Sequence, residues 1–197
     1  MKFLICNQWT IAVDADIFAL SNNSTYMPAK RTIAIIGMGK TGVSIASGLS
    51  GGNERVLLSD KNFNTAQLVV EQLQQADRFY DVEAIGCSYT AAWEADIIIL
   101  TICSNELKGV ADYIREVSTQ KLIVSFTNTY EENAGNMKAT DSCPEELAQL
   151  FPYSKIISAF LDVKCKKIEY TLSFTDKELA ATANELFNAI DFDLIRN

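Results

Sequence analysis

The sequence contains no histidine among its 197 residues. This absence excludes Ser-His-Asp and Cys-His catalysis, and it excludes zinc sites built from histidine ligands. It also removes the side chain whose ordinary pKa lies closest to neutral pH. Any activity of the chain must therefore use chemistry that needs no imidazole.

Basic charge is scarce as well. Lys and Arg number 17 against 25 Asp and Glu, which gives a net charge of −8, and no basic cluster interrupts this acidity. Since nucleic-acid binding needs positive charge against the phosphates, we expect no nucleic-acid partner. With 48% hydrophobic residues, 21% charged residues and only 3 Pro, the composition is typical of a globular protein.

Long apolar runs and paired cysteines are also missing. No stretch approaches the roughly 20 apolar residues that a membrane span needs, so no membrane association is expected. The five cysteines form no C-x-x-C pair, and an odd number cannot close into a disulfide framework. We therefore expect a soluble protein of the reducing cytoplasm.

From residue 31 onwards, short apolar runs alternate with helical patterns. Ala66, Val69, Val70 and Leu73, for example, fall on one face of a helix. The alternation predicts βαβ units in an α/β, Rossmann-type doubly wound, mostly parallel sheet with helices on both faces. The expected strands are 32–37, 55–60, 81–86, 95–103, 121–126, 155–160, 168–174 and 191–195.

The later part of the chain adds finer expectations. The polar and apolar residues of 168–174 alternate, which suggests a half-buried strand at the sheet's edge. Capping boxes that begin at Ser142 and Thr175 are expected to open the last two helices. Tyr89 and Trp93 are expected to pack beneath the sheet edge.

The chain is expected to form one domain over 31–197, with residues 1–30 as an N-terminal extension. Residues 1–30 fit the alternating pattern poorly, and Met27, directly before the first strand region, would make a natural start. The stretch 127–141 is expected to be a polar loop.

The motif that carries chemistry is a G-x-G-x-x-G placed directly after the first strand and at the opening of a helix. Its first glycine permits a tight turn, its second lets the backbone approach a pyrophosphate, and its third lets the helix pack close to the strand. The motif consists of Gly37, Met38, Gly39, Lys40, Thr41 and Gly42. This arrangement predicts dinucleotide binding. A P-loop is excluded because Walker A needs a glycine where Ala34 stands.

The residues at the end of the second strand bear on whether the chain prefers NAD or NADP. Asp60 follows Gly37 by 23 residues, close to the ~20-residue offset of the acid that binds the ribose hydroxyls. That carboxylate favours NAD, whereas the adjacent Lys61, followed by Asn62, offers a charge to a 2′-phosphate. The residues favour NAD only weakly, and both cofactors stay open.

Small polar residues follow the fourth and fifth strands, where an open α/β sheet places its ligand. They are expected to line the ribose and nicotinamide. Cys103 is not expected to act as a nucleophile, because no histidine is present to activate it. The residues concerned are Thr101, Ile102, Cys103, Ser104 and Asn128.

Several segments resemble the family of NADP oxidoreductases dependent on the deazaflavin coenzyme factor 420. They are TIAIIGMGKTGVSIASGL (32–49), LLSDKN (57–62), ADIIILTIC (95–103), KLIVSFTN (121–128) and EELAQLFPYSKIISAF (145–160). The cytosolic domains of STEAP metalloreductases are similar too. The resemblance covers about residues 31–195 and implies hydride transfer between a nicotinamide and a flavin or deazaflavin stacked against it.

Two departures from the family pattern matter. The family usually carries Ser-Arg after the second strand, where this chain has Asp60-Lys61, which weakens the implied NADP preference. After the sixth strand it usually reads Lys-Ala-Phe-Asn, where residues 158–161 read Ser-Ala-Phe-Leu, which weakens the implied deazaflavin site. The alternative function is a non-catalytic NAD(P)-binding module that acts as a redox sensor or partner subunit. A homodimer is a further possibility.

Overall fold

A computed structural model of the chain describes residues 30–126, 144–162, 167–172, 177–190 and 193–196. Within them, eight strands form one sheet. The strands are β1 (Thr32–Ile36), β2 (Arg55–Ser59), β3 (Val82–Ala84), β4 (Ile97–Leu100), β5 (Leu122–Ser125), β6 (Lys155–Asp162), β7 (Lys167–Leu172) and β8 (Asp193–Arg196). The helices are α1 (Lys40–Ser50), α2 (Phe63–Ala76), α3 (Ser88–Glu94), α4 (Ser104–Ile114), α5 (Pro144–Leu150) and α6 (Lys177–Asn188), with a 3₁₀ turn at Arg115–Ser118.

The strand order is β3-β2-β1-β4-β5-β6-β7-β8. Strands β1 to β6 pair in parallel, β7 is antiparallel to β6, and β8 is parallel to β7. The first six strands thus have the Rossmann order, and the predicted fold class is confirmed. The order reverses between β1 and β4, and ligands of such sheets bind at the carboxyl ends of the strands beside this switch point.

The core lies on both faces of the sheet because the central strands are apolar on both sides. Ile33 and Ile35 of β1 face α1, α2 and α6, whereas Ala34 and Ile36 face α3, α4 and α5. Full burial of each such isoleucine contributes about 1.5–3 kcal/mol. This two-sided burial fixes β1 rigidly below the loop that follows it.

The sheet differs from the sequence prediction at its far edge. Ile168 and Tyr170 are buried and Thr171 is exposed, so the alternation in β7 is confirmed. However, β7 is not the edge strand, because β8 pairs with it along its other side. The alternation of polar and apolar residues shows which face of a strand is buried. It does not show whether another strand pairs with that strand's free edge.

The segment after β3 also differs from its prediction. Residues 88–94 form the short helix α3, which buries Ala91 and Ala92 against the sheet. Trp93 on this helix is 65% exposed, so its expected packing beneath the sheet edge is wrong. The alanines, being small, bring the helix close to the sheet and leave the larger indole outside.

Some predictions fall outside the described residues. These are the extension over residues 1–29, the polar loop 127–141, and the capping residues Ser142 and Thr175.

Two glycines within helices give a test of the packing. A Cβ on Gly48 of α1 would lie 2.8 Å from Cα of Ile190, whereas a Cβ on Gly109 of α4 would meet no described atom within 4 Å. We predict that Gly48→Ala lowers the free energy of unfolding by about 1–3 kcal/mol, because the backbone of Ile190 must move. Gly109→Ala, the matched control, should raise it by about 0.5–1 kcal/mol through helix propensity alone.

Urea denaturation of both variants measures the difference. Equal effects of the two substitutions would contradict the close packing of α1 against the residues that follow α6.

Candidate functional site

The turn that leaves β1 is fastened to both neighbouring strands. Gly37 has φ +104°, a conformation that favours glycine, and its N–H donates to the carbonyl oxygen of Ser59 at 2.8 Å. A Cβ on Gly37 would lie 2.8 Å from the carbonyl oxygen of Thr101. Glycine is therefore required here both by conformation and by space.

The third glycine sets the distance between the turn and α1. A Cβ on Gly42 would lie only 2.0 Å from the carbonyl oxygen of Gly37. The same carbonyl accepts a hydrogen bond of 2.5 Å from Oγ1 of Thr101. Thr101, expected to line the ribose or nicotinamide, thus also ties the end of β4 to the glycine turn.

The second glycine faces open space. A Cβ on Gly39 would have no described atom within 4 Å, and the residue precedes α1 without any side-chain cap. The first N–H groups of a helix have no intrahelical partner, and the helix dipole is positive there. Together these features leave room and donors for an anion such as a pyrophosphate.

Asp60 is held by the backbone on both of its oxygens. Oδ2 accepts from the N–H of Met38 at 2.7 Å, and Oδ1 accepts from the N–H of Asn62 at 2.9 Å. Each carboxylate oxygen can accept a further hydrogen bond, so Asp60 can still bind a ribose hydroxyl. Its position, however, is dictated by the turn that it stabilises.

A cleft of about 730 Å³ opens above these strand ends. Its volume lies within the range of small-molecule and cofactor sites. The sequence-predicted residues that line it are Gly37, Met38, Gly39, Asp60, Lys61, Thr101, Ile102 and Cys103.

The other described residues of the predicted site do not line this cleft. Asn62 is the N-cap of α2, where its side chain accepts from the N–H of Asn64 at 3.2 Å. Lys40, Thr41 and Gly42 lie in the first turn of α1, and Ser104 lies in the first turn of α4. Asn128 lies outside the described residues.

The structure adds lining residues that the sequence analysis missed. They come from the turn after β3, from the first residue of α3 and from one face of α4: Gly86, Cys87, Ser88, Glu106, Gly109, Val110 and Tyr113. The rule that ligands lie at strand ends points to Gly86 and Cys87 once the third strand is recognised. The face that α4 turns to the cleft depends on helix packing and had no signal in the sequence.

The segment from β1 to β5 matches a known protein family. The model of the family described as "NADP oxidoreductase coenzyme F420-dependent" matches residues 32–129. The predicted resemblance to this family is confirmed over these residues, which are part of the expected range 31–195. No curated protein sequence matches the chain.

Solved reductases and dehydrogenases share the fold of this chain. A pyrroline-5-carboxylate reductase from Coxiella burnetii superposes with a TM-score of 0.67 at 16% identity, covering 85% of this chain and 59% of that one. The 3-hydroxyisobutyrate dehydrogenase of Mycobacterium tuberculosis gives a TM-score of 0.65 at 15% identity, with coverage of 85% and 54%. The chain thus spans little more than half of these enzymes.

A solved protein of similar length shares the fold too. A hypothetical protein from Sinorhizobium meliloti has a TM-score of 0.65 at 16% identity, with coverage of 87% of this chain and 86% of that one.

The part of the chain that the structure describes holds no group of three or more Cys, Asp or Glu side chains able to ligate a metal ion. Its helices include none long and apolar enough to cross a membrane.

The thiol of Cys87 lies in the cleft beside a tyrosine hydroxyl. Sγ of Cys87 lies 3.2 Å from the hydroxyl oxygen of Tyr113, whose ring packs on Tyr89 with centroids 5.8 Å apart. The hydrogen bond to Tyr113 and backbone hydrogen bonds in the first turn of α3 lower the pKa of Cys87 from 9.0 to about 7. The thiolate, which is the nucleophilic form, is therefore favoured at neutral pH compared with an ordinary cysteine.

This thiol gives a pH-dependent prediction. Alkylation of Cys87 by iodoacetamide should follow an apparent pKa near 7, because the thiolate is the reacting form. Tyr113→Phe removes the hydrogen bond, so the pKa should rise and the rate at pH 7 should fall several-fold, with the two proteins converging above pH 9. Peptide mass spectrometry assigns the site, with Cys87→Ser as the control. An unchanged pH profile in Tyr113→Phe would show that Tyr113 does not hold the thiolate.

Proposed function

We propose that the chain binds a nicotinamide dinucleotide in this cleft and transfers a hydride between the nicotinamide and a flavin-like or deazaflavin-like acceptor. The observation that carries the proposal is the uncapped start of α1, which faces the open space beside Gly39 at the switch point of the sheet. The matched family of NADP oxidoreductases supports the same reaction class.

The residues of the turn fit the pyrophosphate of a dinucleotide. Gly39 leaves the space, the N–H groups at the start of α1 donate hydrogen bonds, and Gly37 keeps the turn tight. Lys40 and Thr41, at the start of α1, would contribute their backbone N–H groups. Met38 contributes differently, because its N–H is bound to Asp60 and its side chain packs into the core.

The nicotinamide end of the cofactor would lie against the segment after β4. Ile102 and Cys103 line the cleft there, and Asn128 is proposed to flank it from the segment after β5. The bound dinucleotide supplies the hydride chemistry. The residues of the chain have to position two rings face to face and exclude water, which requires no strong acid or base. This division of labour suits a chain without histidine.

NAD is the proposed cofactor rather than NADP. Asp60 keeps acceptor capacity towards a ribose 2′-hydroxyl, and a carboxylate at that point repels a 2′-phosphate. Lys61, the cation that could offset this repulsion, is already paired with Glu106 at 2.7 Å.

The acceptor has to bind on the open side of the cleft. Ser158, which stands where the family usually has lysine, is buried in β6 and lies opposite Ser125 in the sheet. A serine there offers no positive charge to an anionic deazaflavin, so a neutral flavin-like ring is the better candidate. A second copy of the chain is proposed to complete the acceptor site.

A non-catalytic binding module is the alternative function. Two charged side chains of the cleft already have partners within the chain, which favours this alternative. Asp60 accepts hydrogen bonds from the backbone, and Lys61 is paired with Glu106. Stopped-flow oxidation of NADH and NADPH, with flavin mononucleotide and a deazaflavin as acceptors, separates the two functions. Transfer to either acceptor supports the enzyme. Tight binding without transfer favours the module, and absence of binding contradicts both.

The glycine turn provides a matched pair of substitutions. Gly39 has φ −73°, which alanine adopts freely, and its Cβ would meet no described atom. Gly39→Ala should therefore leave thermal stability unchanged while it lowers NADH affinity at least tenfold, about 1.4 kcal/mol, because the methyl group takes the pyrophosphate's space.

Gly42→Ala should lower both stability and affinity, since its Cβ would meet the carbonyl oxygen of Gly37. Thermal melts and calorimetric titration measure both quantities. Full NADH affinity in Gly39→Ala would place the pyrophosphate elsewhere.

A further inference from the structure

We propose that Glu106 is a specificity-determining residue, which disfavours a 2′-phosphorylated dinucleotide by holding Lys61. The inference rests on the proposed dinucleotide binding and assigns its cofactor selection to a residue of α4, outside the glycine motif and outside the end of β2.

The ion pair joins two flanks of the cleft. Lys61 follows β2, and Glu106 lies in the first turn of α4, which follows β4. Nζ of Lys61 and Oε1 of Glu106 are 2.7 Å apart, and both residues line the cleft. Because β2 and β4 are the two neighbours of β1, the pair crosses the space above the end of β1.

This space is the adenosine end of a dinucleotide site. In Rossmann folds the residue that ends the second strand binds the ribose 2′-hydroxyl, and here that residue is Asp60, directly before Lys61. Lys61 is therefore the cation nearest to a 2′-phosphate. The side chain of Lys61 is 80% exposed, and among the described residues its ammonium group donates to Glu106.

The charges decide which dinucleotide the end of the cleft accepts. With the ion pair intact, Asp60, Lys61 and Glu106 sum to one negative charge, which tolerates a neutral hydroxyl. A 2′-phosphate can pair with Lys61 only if it displaces the carboxylate of Glu106. That carboxylate then remains close to the phosphate and repels it. The hydrogen bond to Glu106 raises the pKa of Lys61 above its ordinary value, consistent with this ion pair.

Glu106→Gln removes the competing charge and keeps the shape of the side chain. Calorimetric titration with NADH and NADPH should show tighter NADH binding by the wild-type chain. In Glu106→Gln, NADPH affinity should rise about tenfold, while NADH affinity changes less than threefold. Adding Lys61→Met to this variant should abolish the gain, since the freed lysine is its source.

Glu94→Gln is the matched control. Glu94 forms an ion pair of 2.9 Å with Arg55, and its side chain is 36% exposed against 39% for Glu106, but it does not line the cleft. Its substitution should change neither affinity.

The outcomes separate the two proposals. Dinucleotide binding with the same NADPH to NADH ratio in the wild type and Glu106→Gln would overturn the role of Glu106 alone. A gain that persists without Lys61 would also overturn it. Failure of the wild-type chain to bind either nucleotide would overturn the proposed function together with this inference.

Discussion

The turn after β1 is held from three directions, and the candidate site depends on this restraint. The N–H of Gly37 is bound to Ser59 of β2, its carbonyl oxygen is bound by Thr101 beyond β4, and the N–H of Met38 is bound by Asp60. Because β1 is buried on both faces, these contacts tie the turn to a strand that lies in the core. The open space at Gly39 and the start of α1 are therefore preformed, and binding there needs little reorganisation.

The described residues offer more groups for binding the dinucleotide than for binding the hydride acceptor of the proposed reaction. The dinucleotide half has a cleft, helix N–H groups and a selecting ion pair, all within the segment that matches the family. The acceptor half lacks an equivalent set of groups among the described residues. A fold shared at 16% identity carries no information about the acceptor. Cys87 and Tyr113 stand in the same cleft, but Cys87 follows β3, at the edge of the sheet away from the proposed nicotinamide end.

The sequence predicted those features that arise from local patterns. The glycine motif can be recognised because its three glycines lie within six consecutive residues. The alternation of apolar strands and helices predicts the Rossmann order through general topology rules. The pairing of Lys61 with Glu106 joins residues 45 positions apart, and the contact of Cys87 with Tyr113 joins residues 26 apart. Such contacts follow from the face that α4 presents to the cleft. The position of β7 was mispredicted for a related reason, since it depends on where a later strand pairs.

The central claim is that the start of α1 receives the pyrophosphate of a nicotinamide dinucleotide. The most direct measurement is a nuclear magnetic resonance titration that follows the backbone amides of Gly39, Lys40 and Thr41 as NADH is added. The account predicts saturable chemical-shift changes at these three amides, together with changes at Asp60 and Lys61. Amides of the glycine turn that stay unchanged at saturating NADH, while signals elsewhere shift, would contradict it.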